Sequence, residues 1–268
     1  MNVSISTVDN IFNIGNIPIS NTIIWTVIIL ALTFVFLMYL AKGLEIRPDS
    51  KKQVIAEYMV SACRDFVSST MGKKNIGFTP YFFALAAFLL VANLSSFVFL
   101  GIVRPPTADL ATTLTLGIIT FVLTQYYGLK TKGIKKYLKD FTEPVFFFLP
   151  INIIGEIANP VSLGFRLFGN ITGGLIILSL VYSIFVGSAK VAMFVFFTSL
   201  ILCLYLCFGK VNKFTENKIV RIIAILLLIP SFFVAFCHGY FDWFAGILQT
   251  FIFCMLSMVF ISSAMDEE

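Results

Sequence analysis

The sequence predicts an all-α, polytopic membrane bundle, with one amphipathic helix lying in the interface and two long helices tilted through the lipid. Three observations lead there. Hydrophobic residues make up 59% of the 268 and charged ones only 12%, with a mean hydropathy of +0.96. That leaves too little polar surface to coat a soluble globule of this size. Uncharged runs of the ~20 residues needed to cross a hydrocarbon core as helix recur along the chain. The lysines and arginines gather in short stretches between those runs, as they do in the loops that orient membrane proteins. Because lipid satisfies no backbone donor or acceptor, the chain is expected to form one integral domain, residues 1–268.

Residues 1–20 carry one charge, Asp9, and no basic residue. They read as a short external tail rather than a signal peptide with its positive leading region. Residues 22–40 are the first span. Between 48 and 72, Val54, Tyr58, Met59, Ala62, Phe66 and Val67 recur at helical spacing opposite Lys51, Lys52, Glu57, Arg64 and Asp65. This is the pattern of an interfacial helix, or of one packed on a soluble partner. Ser50 followed by Gln53 opens it with capping-box spacing. Spans at 81–103 and 110–129 come next, joined by Arg104-Pro105-Pro106-Thr107-Ala108-Asp109, whose prolines favour a turn. A basic loop at 130–140 precedes apolar sequence from 145 to 186, longer than a perpendicular crossing needs, which predicts a strongly tilted or kinked helix. Residues 187–229 hold another uncharged span, 191–208, and a basic loop, 209–221. A final helix occupies 230–263.

Placing 42–79, 130–140 and 209–221 inside accounts for all but three of the 19 lysines and arginines, the exceptions being Arg104, Arg166 and Lys190. Positive charge inside then sets the N-terminus outside and the acidic tail Asp266-Glu267-Glu268 in the cytoplasm. The net charge of +5 thus serves orientation, and nucleic acid is not an expected partner. The five cysteines form no CxxC pair, and Cys203 and Cys207, although on one helix face, have no histidine or acid beside them. They read as packing residues, with no metal site expected.

The functional centre is Arg166. An arginine at bilayer centre costs roughly 2.5–3.5 kcal/mol even on lenient insertion scales, so such residues face protein or water and mark ion pathways. On a helix, Asn159, Ser162, Asn170 and Gly173 share its face, and Gly169, Gly173 and Gly174 would let another helix approach closely. Asp242, Gly246 and Gln249 fall at i, i+4 and i+7 on the last helix. A carboxylate withdrawn from water suits proton exchange, although at the outer end Asp242 could equally be solvated. Gln249 offers both a donor and an acceptor. Glu156 occupies another face, where it either serves a separate aqueous pathway or pairs with a basic loop. His238, the lone histidine, reads as a ring satisfied by backbone rather than a proton relay. No phosphate loop, HExxH or GxSxG is present, so no catalytic activity is expected.

Pro160-Val161-Ser162-Leu163 followed by Arg166-Leu167-Phe168-Gly169-Asn170 resembles subunit a of F-type ATP synthases. The resemblance extends to Asn93, to Pro106-Thr107-Ala108-Asp109 and to Ile247-Leu248-Gln249-Thr250-Phe251-Ile252-Phe253. It implies that the helices carrying Arg166 and Gln249 face a rotating ring of c subunits bearing essential carboxylates, with b subunits of a peripheral stalk as further partners. It implies transport of H⁺, or Na⁺, across a bacterial cell membrane, with no cofactor. Arg166 would separate an outward half-channel reached through Asp242 from an inward one near Asn93, Thr107, Asp109 and Glu156. Two features depart from the family: Leu175 stands where many members have Glu or His, and the stretch between Arg166 and Gln249 is longer, implying an inserted hairpin at 187–229. A different class, a secondary transporter binding an anionic substrate on Arg166, would show repeated halves, and no internal repeat is visible.

Overall fold

The structure, a computed structural model, describes residues 10–14, 17–45, 50–98, 104–142, 146–186, 233 and 236–265. Its helices are α1 (Asn21–Ala41), α2 (Lys51–Met71), α3 (Thr79–Val98), α4 (Leu110–Asp140), α5 (Leu149–Val186) and α6 (Ala245–Met265), the last entered through a π-helical turn, Gly239–Phe244. Among the described residues, five segments are long and apolar enough to cross a membrane: Thr22–Ala41, Lys73–Ser96, Leu110–Tyr137, Phe146–Val181 and Phe236–Met265. The amphipathic α2 is not one of them, so the expected helical membrane bundle stands. The hairpin expected at 187–229 and the acidic tail at 266–268 lie outside the described residues.

At the head of α2 the Ser50 hydroxyl accepts the Gln53 backbone N–H at 3.2 Å, satisfying one of the orphan donors of the first turn. The Gln53 side chain does not return to Ser50 to complete the box. It donates to Glu57 Oε1 at 2.7 Å and accepts from the Glu45 N–H at 3.1 Å, tying the α1–α2 connection to the helix.

Two segments differ from the sequence reading. The expected tail contains an antiparallel hairpin, β1 (Asn10–Ile14) with β2 (Ile17–Ser20), in which Ile14 opposes Ile17. The signal was the Gly15-Asn16 pair between two short runs, the dipeptide chemistry that tight hairpins use. The basic loop expected at 130–140 is instead the end of α4, because lysine is a good helix former and only Gly133, at φ 76° and ψ 156°, interrupts the path. Positive φ costs glycine little. The Lys132 ammonium then closes the bend on Asp140 Oδ2 at 3.0 Å.

The 38 residues of α5 span roughly 57 Å at 1.5 Å each, nearly twice the ~30 Å of hydrocarbon. Such a helix cannot stand upright. Its tightest neighbour is α4: a Cβ on Gly117 would lie 2.5 Å from the Pro160 carbonyl oxygen, and one on Gly164 would lie 2.9 Å from Leu114 Cδ2. Small residues here let two backbones meet, as lipid-embedded helices require. The core joins Leu163, Leu167 and Ile171 of α5 to Phe253 and Met258 of α6 and Phe82 of α3.

Candidate ion pathway

On α5 the chain puts Ser162, Arg166 and Asn170 on one exposed face, with Asn159 exposed a turn earlier. Added Cβ atoms at Gly169 and Gly173 would meet nothing within 4 Å, so bare backbone lies open beside this polar stripe. Gly174 is different, because its Cβ would lie 3.3 Å from Phe241 Cβ. The flank roughly 60–100° around the helix is apolar and closed, with Leu163 and Leu167 at 1% and 0% exposure. Arg166 therefore presents its charge away from the bundle, and none of the described residues pairs with it. Gln249 of α6 reaches the same stripe. Its Oε1 accepts from Asn170 Nδ2 at 3.2 Å, while its Nε2 is buried without an acceptor among the described residues.

Beyond Asn170 the polar groups gather around the π turn. Asp242 is buried, and its Oδ2 lies 2.5 Å from His238 Nδ1. Asp242, Gly246 and Gln249 are all buried, so the predicted common face survives the π turn. His238 bonds a carboxylate here, where the sequence reading gave it backbone. The spacing of four was the available signal, since i and i+4 are helical neighbours. Asn93 of α3 donates to the Gly246 carbonyl at 3.1 Å and to Thr250 Oγ1 at 2.9 Å. Its own Oδ1 is buried without a partner among the described residues, as is Thr107 Oγ1. Asp109 caps α4 by accepting the Ala111 N–H at 3.0 Å and accepts the Thr22 hydroxyl at 2.8 Å. Thr172 of α5 donates to the neighbouring Ala108 carbonyl at 3.4 Å.

Glu156 lies at the other end. Its Oε2 accepts Gln125 Nε2 at 3.1 Å, and the Tyr137 hydroxyl bonds Gln125 Oε1. A cavity of about 640 Å³ opens there, with Thr124, Tyr137, Asn152, Glu156, Asn159 and Ser263 supplying the polar part of its wall. Gln125 follows Asp109 by sixteen residues, roughly 24 Å of helix. The four residues expected to line one inward half-channel therefore divide: Asn93, Thr107 and Asp109 sit with Asp242, while Glu156 stands apart. Arg166 lies between the two groups, ten residues or roughly 15 Å along α5 from Glu156 and eight residues or roughly 12 Å from Gly174 beside the π turn.

Residues 22–262 match the family model described as the ATP synthase A chain. The chain belongs to this family. It is 32% identical to ATP synthase subunit a of Oceanobacillus iheyensis over 97% of each chain. It is 33% identical to that of Bacillus subtilis over 97% of this chain and 93% of the relative. With the corresponding Enterococcus faecalis protein the identity is 30%, over 96% of this chain and 97% of the relative. Together with the five candidate spans, these relatives mark a multi-pass bacterial membrane protein. The matched region contains Asp242, His238, Asn93, Thr107 and Asp109 of one end, Glu156 of the other, and Arg166 between them.

Proposed function

We propose that the chain is the proton-conducting stator of the membrane sector of a rotary F-type ATP synthase, set against a ring of c subunits and held by the b subunits of the peripheral stalk. The observation that carries this is Arg166: a cation on an exposed, small-residue helix face with no counter-charge among the described residues. A guanidinium remains charged at any working pH, so its counter-ion has to come from a partner. A ring carboxylate passing the stripe would be held ionised beside Arg166 and could take up a proton only after leaving it. The end with Asp242, His238 and Asn93 would open outward, and the Glu156 cavity would open to the cytoplasm, with the N-terminus outside and the C-terminus inside the cell membrane. Each proton crossing would deliver about 2.3 kcal/mol per 100 mV. The chain itself makes and breaks no covalent bond.

The test is Arg166→Ala in the assembled complex. Proton-driven ATP synthesis is expected to vanish while the subunit still co-purifies with the ring and the soluble ATPase. Membranes of this variant that made ATP from a proton gradient would refute the proposal, and a chain that purified alone would favour a self-contained transporter.

A further inference from the structure

We infer that Tyr137 is a positioning residue, which through the side-chain amide of Gln125 holds the Glu156 carboxylate facing a hydrogen-bond donor at the inner cavity. This rests on the stator reading and extends it to two residues outside the family's motif.

Several features of α4 converge on this one phenol. Gly133 bends the helix with φ 76°, and the Lys132–Asp140 pair at 3.0 Å holds the bend. Gly128 leaves room for the ring: a Cβ there would lie 2.8 Å from Tyr137 Cε2 and 3.4 Å from Ala264 Cβ. Tyr137 is consequently 8% exposed although it lies near the end of the helix.

The hydrogen bonds admit one consistent order. An ionised carboxylate only accepts, so the Gln125 NH₂ faces Glu156 and its Oε1 faces Tyr137, whose hydroxyl donates. If Glu156 carried its proton toward Gln125, the amide would have to reverse, and the phenol would lose its acceptor. The phenol therefore holds the amide in the order that presents its NH₂ to the carboxylate. A group that must hand protons to the cytoplasm gains from being held in one orientation. Among the described residues, the titratable groups sharing the cavity with Glu156 are Lys132, Tyr137 and Asp140, all from α4; α6 contributes Phe260, Ser263 and Ala264, none of which titrates.

The experiment uses inverted membrane vesicles carrying the whole complex, with proton-driven ATP synthesis measured against the pH of the medium that bathes the inner cavity. In Tyr137→Phe the ring and its packing remain and only the hydroxyl is lost. The shape of the rate profile is expected to change, its acid limb moving to higher pH while the rate at the alkaline end stays that of the parent. Gly128→Ala, which displaces the ring, is expected to move the limb in the same direction, while Tyr126→Phe, at an exposed neighbouring phenol, leaves it in place. A Tyr137→Phe profile that superimposes on the parent's, or one lowered equally at every pH, overturns the inference. Arg166→Ala run alongside separates the two levels. Retained synthesis in that variant defeats the stator reading, whereas lost synthesis with an unshifted Tyr137→Phe profile defeats only the role of Tyr137.

Discussion

Replacing Ser162 by aspartate would place a carboxylate one helical turn before Arg166 on the same exposed face. At this spacing Cβ atoms are about 5–6 Å apart, so the side chains can meet at ~4 Å. An ion pair at that distance is worth about 1 kcal/mol in bulk water and about 4 kcal/mol at the effective dielectric of ~20 found near protein. Arg166 lies inside the Phe146–Val181 span, so the larger figure governs. An arginine supplied with its own anion no longer favours an ionised partner beside it, and about 4 kcal/mol amounts to roughly a thousandfold in that preference. The assay is proton-driven ATP synthesis by vesicles containing equal amounts of assembled complex, comparing Ser162→Asp with Ser162→Asn, which has similar size and polarity but no charge. The aspartate variant is expected to run at least tenfold slower than the asparagine variant. Equal rates would refute the reasoning, because they would mean that the charge of Arg166 need not be free.

Gly117→Ala forces a Cβ to within 2.5 Å of the Pro160 carbonyl, so α4 and α5 must part. Overpacking of this kind costs about 1–3 kcal/mol, read as a lower Tm of the detergent-solubilised complex, whereas Gly155→Ala, which meets nothing within 4 Å, leaves it unchanged. Burial pushes the Cys63 thiol of α2 up from its ordinary range, and the thiolate is the reactive form. Maleimide labelling at pH 7 should therefore be slower at Cys63 than at a cysteine placed at exposed Ser61 in a Cys63→Ser background, with the gap closing as pH rises.

The spans were legible because membrane helices announce themselves by length and lack of charge, and α1, α3 and α5 begin within a few residues of where those runs begin. Arg166 was legible for the same reason, as an ionised group where none belongs. Less local features were not. The fate of residues 130–140 turned on a single glycine φ, which a lysine-rich stretch does not reveal. Asn93 and Gly246 are 153 residues apart in the chain, and no periodicity connects them. Gln125 and Tyr137 escaped notice because a glutamine and a tyrosine near the end of an apolar run are ordinary interfacial residues until a bend brings them together. The grouping of Asn93, Thr107 and Asp109 with Glu156 failed because helix direction, not sequence proximity, decides which end of a bundle a residue occupies.

That separation of ends has a consequence for how such a stator would avoid leaking. If water could pass through the interior from Asp242 to Glu156, protons would cross without turning anything. The interior between them packs Leu163, Leu167, Phe253 and Met258, each at 1% exposure or less, and its buried hydroxyls on Thr120 and Ser257 bond each other at 3.2 Å. An exposed polar route between the ends runs along the outer face of α5, through Asn159, Ser162, Arg166 and Asn170. Arg166 stands in the middle of it as a fixed positive charge, which repels a bare proton and admits only an anion. In the proposed stator a proton then crosses the gap only when carried around it on a moving carboxylate. Widening the interior seal, for instance with Phe253→Ala, should raise passive proton conductance even with Arg166 intact. An unchanged conductance would place the barrier in the arginine alone.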